Sequence, residues 1–251
     1  MVMLISKGEI EDIRKYHLKW IAQRKFDGVL CVCCNGILKG RNGTDLTKRF
    51  PHIANEMSNF KGVFVGELIC DSFKHTCQRA KTENQLKSRL LCEEYPAKFM
   101  LFDCISKEPY CIRYDNLVKE YIKNCERINP YLDVVQGTTD LVGLWERAKA
   151  ENWEGIVIKN PYGLYEDKRT KTQLKVKFVK SKDIVFDRFE VNNAGIKLFS
   201  QDKEVKIQCS GSNSIGVKHK IENTGSCLIE VEYLNETESG KLRMPVFKVM
   251  K

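Results

Sequence analysis

The sequence changes texture near Lys180-Ser181-Lys182-Asp183, and that change limits the folds open to it. Before it, helical and strand-like patterns are interleaved. After it come short strand-like runs separated by turn clusters at Asn192-Asn193, Gly211-Ser212-Asn213 and Ser239-Gly240. Short strands at this spacing over roughly 70 residues suggest a small β-barrel. Two domains are therefore expected, residues 1–181 and residues 182–251.

In the first part, residues 9–18 read as a short helix, and Trp20–Gly28 and Val29–Asn35 as strands. Asn35-Gly36 is a hairpin turn signal leading into Ile37-Leu38, since both residues tolerate positive φ. Asp45–Asn59 has helical spacing at Leu46, Phe50, Ile53 and Met57, interrupted early by Pro51. Val63–Cys70 and Lys98–Ile105 read as apolar strands. Lys81–Glu94, Arg113–Arg127 and Thr138–Ala150 read as helices, with strands at Glu154–Lys159 and Gln173–Val179. The expected fold class is α+β, with helices around a mainly antiparallel sheet, followed by the β-barrel.

Lysine and arginine number 42 against 33 acidic residues, a net charge of +9. Such an excess favours an anionic partner, nucleic acid being the commonest. No apolar run approaches the roughly 18 residues of a membrane span. Met1–Ile5 is apolar, but Lys7, Glu9 and Glu11 follow at once, too soon for a signal peptide, so a cytoplasmic protein is expected. Eleven cysteines raise the question of disulfides or zinc. Their odd number and the absence of a leader argue against a disulfide framework. Cys31 and Cys34 form a C-x-x-C pair within a strand pattern, where the two positions face opposite sides and cannot grip one metal. The cysteines are expected to act as small hydrophobes.

A series of short segments in fixed order carries the functional signal. They are Lys25-Phe26-Asp27-Gly28, Gly40-Arg41-Asn42-Gly43, Val65-Gly66-Glu67-Leu68, Leu101-Phe102-Asp103, Glu154-Gly155-Ile156-Val157-Ile158-Lys159 and Leu174-Lys175-Val176-Lys177. The series resembles the covalent nucleotidyltransferase superfamily, and most closely the ATP-dependent DNA ligases. The stretch Arg41–Pro51 is similar to the DNA-ligase form of its motif. Glu230–Tyr233 followed by Gly240–Phe247 looks like the closing strands of the ligase OB domain. The resemblance covers Trp20 to Lys251 and implies an adenylation domain followed by an OB fold.

It also implies a chemistry. A lysine amine attacks the α-phosphorus of ATP, leaving a lysyl-AMP intermediate, and Lys25 is the lysine in that setting. Asp27 would hold the loop, and Gly28 would relieve crowding. Phe102 would stack on adenine. Glu67 would accept from the ribose or lie near a metal, and Glu154 would bind Mg²⁺ or Mn²⁺, hard cations that prefer carboxylate oxygens. Arg41, Lys175 and Lys177 would surround the phosphates, and Arg169 matches a family arginine approaching the last motif. Gln23, two residues before Lys25, stands where these ligases commonly carry Glu and would contact adenine. The partner implied is nicked double-stranded DNA with 3′-hydroxyl and 5′-phosphate ends, the enzyme acting as a monomer in DNA replication, repair or recombination.

Two departures stand out. Leu30 occupies a position where many relatives carry arginine. Where relatives continue into a basic motif, the sequence reads Phe247-Lys248-Val249-Met250-Lys251, with Lys251 as a partial substitute, so slow adenylation is expected. Two competing readings remain at this point: an RNA ligase or mRNA-capping nucleotidyltransferase, and a silent nucleic-acid-binding module on the same fold.

Overall fold

The computed structural model describes residues 2–125, 129–202, 204–237 and 240–251. The chain divides into two compact units, Met1–Val176 and Lys177–Lys251.

The first unit runs β1 (Leu4–Lys7), α1 (Ile10–Tyr16), β2 (Ile21–Lys25), β3 (Val29–Cys34) and β4 (Ile37–Gly40), then a 3-10 turn at Thr47–Arg49. It continues through α2 (Pro51–Met57), β5 (Val63–Ile69), α3 (Phe73–Lys81), α4 (Gln85–Glu94), β6 (Lys98–Cys104) and α5 (Tyr110–Asn124). The last elements are β7 (Leu132–Val134), β8 (Gly137–Thr138), α6 (Leu141–Ala150), β9 (Gly155–Lys159) and β10 (Arg169–Lys177). The strands form two five-stranded sheets, ordered β1-β10-β9-β2-β8 and β4-β3-β5-β6-β7. β2 pairs antiparallel with β9 and β8, and β5 with β3 and β6. The parallel pairs β1–β10 and β6–β7 qualify the expected antiparallel character.

Local chemistry explains where elements begin. Asn35 and Gly36 take φ of 48° and 76°, and Cys34 pairs with Ile37, so a two-residue turn closes the β3–β4 hairpin. Pro51 starts α2 rather than interrupting it, since its missing N–H is harmless in the first turn. The helix expected over 81–94 is α4, which starts at Gln85 because the Asn84 side chain caps it by accepting from the Lys87 N–H. A further helix that the sequence reading does not foresee, α3, precedes it, capped by Ser72 accepting from the His75 N–H, and ends at Lys81. Asp140 likewise caps α6 through the Gly143 N–H, so that helix starts three residues after Thr138. Arg127, the expected end of α5, lies outside the described residues.

The core of this unit gathers Leu38, Phe50, Ile53, Met57, Phe64, Leu68, Phe99, Leu101 and Leu117 around the second sheet. Cys31 and Cys33 are buried in it while Cys34 is exposed, which matches side-by-side alternation and excludes a joint metal site. Burial pushes the Cys33 thiol up to about 12. None of the eleven cysteines is in a disulfide.

The second unit contains β11 (Lys180–Asn192), β12 (Gly195–Ser200), β13 (Lys206–Cys209), α7 (Ser212–Thr224), β14 (Cys227–Tyr233) and β15 (Val246–Met250). Its five strands form one antiparallel sheet ordered β13-β12-β11-β14-β15. β11 runs unbroken through Lys182, so the expected boundary falls inside a strand and the units divide at Val176 instead. Gly211-Ser212-Asn213 is not a turn between strands but the start of α7, which ends at Gly225 in the left-handed region. Only Val217 and Ile221 of that helix are buried, which is why its period is faint in the sequence. Ser239 lies outside the described residues. Among the described residues no helix is long and apolar enough to cross a membrane.

Candidate active site

Lys25 is the last residue of β2 and pairs in register with Gly155, the first residue of β9. This register brings Glu154, the residue just before β9, against the lysine. The Lys25 ammonium donates to Glu154 Oε2 at 2.5 Å, and the side chains are only 19% and 8% exposed. On the outer side of the same strand end, Arg24 stacks between Phe26 and Trp153 at 4.6 and 4.5 Å from their ring centres. Arg147 adds a third contact, 5.4 Å from the Trp153 ring. These stacks pin the two strand ends that carry Lys25 and Glu154, and no motif announces them.

The chain then crosses to the second sheet through Gly28. A Cβ there would overlap the Leu68 carbonyl oxygen and come within 2.9 Å of Glu67 Cγ. The absence of a side chain lets β3 seat on β5 and places Glu67 beside the lysine. Burial pushes the Glu67 carboxyl up to about 7; Lys25 opposes the shift, Glu154 reinforces it and the Gly28 N–H opposes it. Leu30 is the register partner of Glu67 and adds apolar surface on that side. Arginine at position 30 would instead have placed a cation opposite the carboxylate.

Phe102, on β6, is half-buried, and its backbone carbonyl accepts from the Lys159 ammonium at 3.0 Å. That ammonium also lies 4.8 Å from the Phe102 ring centre and 4.5 Å from that of Tyr110. Lys159 is 2% exposed, and burial drives its pKa down to about 7, with Asp103 opposing the shift and Arg113 reinforcing it. Beneath it, the fully buried Arg113 guanidinium donates twice to Asp103, from Nε at 2.8 Å and from a terminal nitrogen at 3.1 Å. It also donates to the Glu108 and Gly163 carbonyls. The aromatic shelf thus rests on a buried ionic network joining β6, α5 and β9. The motif that contains Lys159 assigns it no role. Its one signal in the sequence is that a lysine closes the apolar run Ile156-Val157-Ile158.

The remaining expected site residues fall differently. Gln23 is buried and donates to the Val135 carbonyl at 2.7 Å, and its own carbonyl oxygen has no partner among the described residues. Lys175 lies on β10, paired with Lys7, and both it and Lys177 alternate with the buried Leu174 and Val176. Lys177 ends β10 and begins the second unit. Arg41 sits exposed in the turn after β4. Arg169 donates to the Ile5 carbonyl at 2.9 Å and so ties β10 to β1. Among the described residues, neither arginine makes a hydrogen bond or ion pair with Lys25 or Glu154.

Comparisons with known proteins converge on one family. The model of the ATP dependent DNA ligase domain matches residues 3–177. A solved structure described as a Lig E DNA ligase superposes with a TM-score of 0.75 at 15% identity, covering 100% of this chain and 99% of that one. Chlorella virus DNA ligase-adenylate gives 0.57 at 16% identity, over 100% and 97% of the two chains. The ATP complex of the bacteriophage T7 ligase gives 0.53 at 15%, over 100% and 98%. At such identities these structures speak for a shared mixed α+β nucleotidyltransferase-like fold. No curated protein sequence matches. The family model spans every element that builds the lysine–carboxylate cluster, and the chain belongs to the ATP-dependent DNA ligase domain family.

Proposed function

We propose that the chain seals nicks in double-stranded DNA through an AMP bonded to Lys25. The carrying observation is the Lys25–Glu154 contact of 2.5 Å inside a largely buried cluster completed by Glu67. In the first step the Lys25 amine attacks the α-phosphorus of ATP. An N–P bond forms, the α–β anhydride bond breaks, and pyrophosphate leaves with the electron pair. The attacking amine must give up a proton, and Glu154 Oε2 is the acceptor within reach of it. An oxygen of the DNA 5′-phosphate then attacks the same phosphorus, the N–P bond breaks and the amine of Lys25 is restored. Finally the 3′-hydroxyl attacks the activated 5′-phosphate, closing the strand and releasing AMP.

Phe102 supplies the face on which adenine stacks, held from behind by Lys159. Gln23 offers an unpartnered acceptor of the kind an adenine amino group satisfies. Lys175 and Lys177 supply positive charge toward the phosphates. Among the described residues no group of three or more His, Cys, Asp or Glu is placed to hold a metal. Glu67 and Glu154 are nevertheless two adjacent carboxylates of the number Mg²⁺ uses when nucleotide oxygens and water complete its shell. They would hold Mg²⁺ or Mn²⁺, which supplies charge neutralisation at the phosphates. The second unit, an antiparallel five-stranded sheet with one helix between its third and fourth strands, supports an OB-fold reading. The enzyme is expected to act as a monomer on a nicked duplex. Incubation with labelled ATP, GTP or NAD tests the reading: ATP alone should leave a covalent adduct, and labelling by GTP or NAD would overturn it.

A further inference from the structure

Each member of the Lys25–Glu154 pair is preceded in the chain by a member of a second pair. Arg24 precedes Lys25 and Trp153 precedes Glu154, and the Arg24 guanidinium carbon lies 4.5 Å from the centre of the Trp153 ring. Successive residues of an extended chain point to opposite sides, so the charged pair faces inward and the stacked pair outward. Phe26 covers the guanidinium as well, at 4.6 Å, and its carbonyl accepts from the Lys25 ammonium at 3.4 Å.

The indole of Trp153 is buried and clamped in turn. Its N–H donates to the Glu151 carboxylate at 3.0 Å, and Arg147 Nε donates to the same carboxylate at 2.7 Å. Its backbone N–H donates to the Ala148 carbonyl at 2.9 Å, near the end of α6. The backbone takes positive φ on both sides of Trp153-Glu154, 54° at Asn152 and 152° at Gly155. Asparagine and glycine are the residues that accept such values most readily. With a sharp bend on either side, the direction in which Glu154 leaves the chain depends on where Trp153 is anchored. The attraction between the Lys25 ammonium and Glu154 is lost once an N–P bond forms, whereas the outer stack takes no part in the reaction and persists through it.

We infer that Trp153, acting with Arg24, is a positioning residue for lysine adenylation, the outer stack holding the Glu154 carboxylate on the Lys25 amine. The inference rests on the reading of Lys25 as the nucleophile, and the bonds made and broken are those of the first step above. The stack faces away from the Phe102 shelf, so it governs the rate at which the N–P bond forms and leaves ATP affinity alone.

The test is single-turnover labelling of the full chain over a range of labelled ATP concentrations. Trp153→Ala should lower the limiting rate constant for adduct formation by about tenfold to a hundredfold, the scale of a misplacement of about 1 Å. The ATP concentration giving half that rate should stay within about twofold of wild type. The fraction of protein labelled at completion should also match wild type, whereas a folding defect would reduce it. Breakdown of the adduct by added pyrophosphate should slow by the same factor as its formation, because the two directions share one transition state. Trp153→Phe, which keeps an aromatic face for Arg24, should recover most of the rate. Arg24→Ala, at an exposed position where folding is not at risk, should show the same loss of rate. Combining it with Trp153→Ala should cost little beyond the larger single loss, since the two side chains act as a unit. Losses that multiply in the double variant, an Arg24→Ala loss expressed in half-saturation and not in rate, or a Trp153→Ala protein that labels as fast as wild type would each overturn the inference. Failure of the wild type to label at all is a separate outcome, which would overturn the reading of Lys25 and the inference with it.

Discussion

The Lys159 ammonium donates to the Phe102 carbonyl at 3.0 Å and lies 4.8 Å from the centre of that residue's ring. One buried cation thus fixes both the backbone and the face of the shelf proposed to hold adenine. Asp103, Arg113 and Tyr110 surround it, and Asp103 is the carboxylate that balances it.

This arrangement predicts a pH-dependent stability. Unfolded, Lys159 titrates near its ordinary value of 10.5; folded, burial brings it to about 7. Between these limits the unfolded chain binds the extra proton, so its contribution to stability grows as pH rises from about 7 toward 10. Wild type should therefore gain on a Lys159→Met variant by at most about 1.4 kcal/mol per pH unit in that window, read from denaturant midpoints. A constant difference between the two proteins across pH 7 to about 9 would contradict the assigned burial.

The same contact predicts a split in kinetics. Lys159→Met should raise KM for ATP in adduct formation more than it lowers kcat, because the shelf loosens while Lys25 and Glu154 stay in place. Lys159→Arg, which keeps the cation, should recover part of the loss. Equal loss in both variants would reduce Lys159 to a packing role.

Much of this site is legible in the sequence because its motifs lie within strands or at their ends. Lys25, Glu67, Phe102 and Glu154 come from four segments far apart in the chain, and antiparallel register between β2 and β9 and between β5 and β6 gathers them. The Asn35-Gly36 turn is equally plain, since few residue pairs accept its φ values. What stays hidden depends on tertiary placement. The guanidinium of Arg113 reaches the carbonyl of Gly163, 50 residues away, and no local pattern foretells it. Arg169 matches a motif position, yet its guanidinium is engaged by the Ile5 carbonyl on β1, a strand too short to stand out in the sequence. α7 escapes a periodicity reading because it buries two side chains where a helix facing a core usually buries more.

Gly28 gives a structural prediction. Gly28→Ala must push β3 away from the Leu68 carbonyl, which carries no flexible end to yield. The overlap should cost about 1–3 kcal/mol of stability and shift Glu67 from its place, lowering adduct formation as well. Thermal unfolding alongside ATP labelling checks both; a variant as stable and as active as wild type would show that the crossing has more room.

Glu154→Ala separates the roles of the two partners in the short contact. The substitution removes the proton acceptor beside Lys25 and one of two carboxylates proposed for the metal. Adduct formation and closure of a pre-adenylated nick should both fall, each by about a hundredfold or more, the scale of removing one electrostatic group. Full closure activity on the pre-adenylated nick would confine Glu154 to the first step.

If Lys25 carries the AMP, adduct formation by Lys25→Ala with labelled ATP decides it. No covalent label is expected on the variant, because no other group in the cluster of Lys25, Glu67 and Glu154 can form the N–P bond. The same variant should still close a pre-adenylated nick at a reduced rate, since that step is attack by the DNA 3′-hydroxyl. Lys25→Arg should match alanine in adduct formation, as a guanidinium stays protonated. Persistent labelling of Lys25→Ala would place the nucleophile elsewhere in the chain.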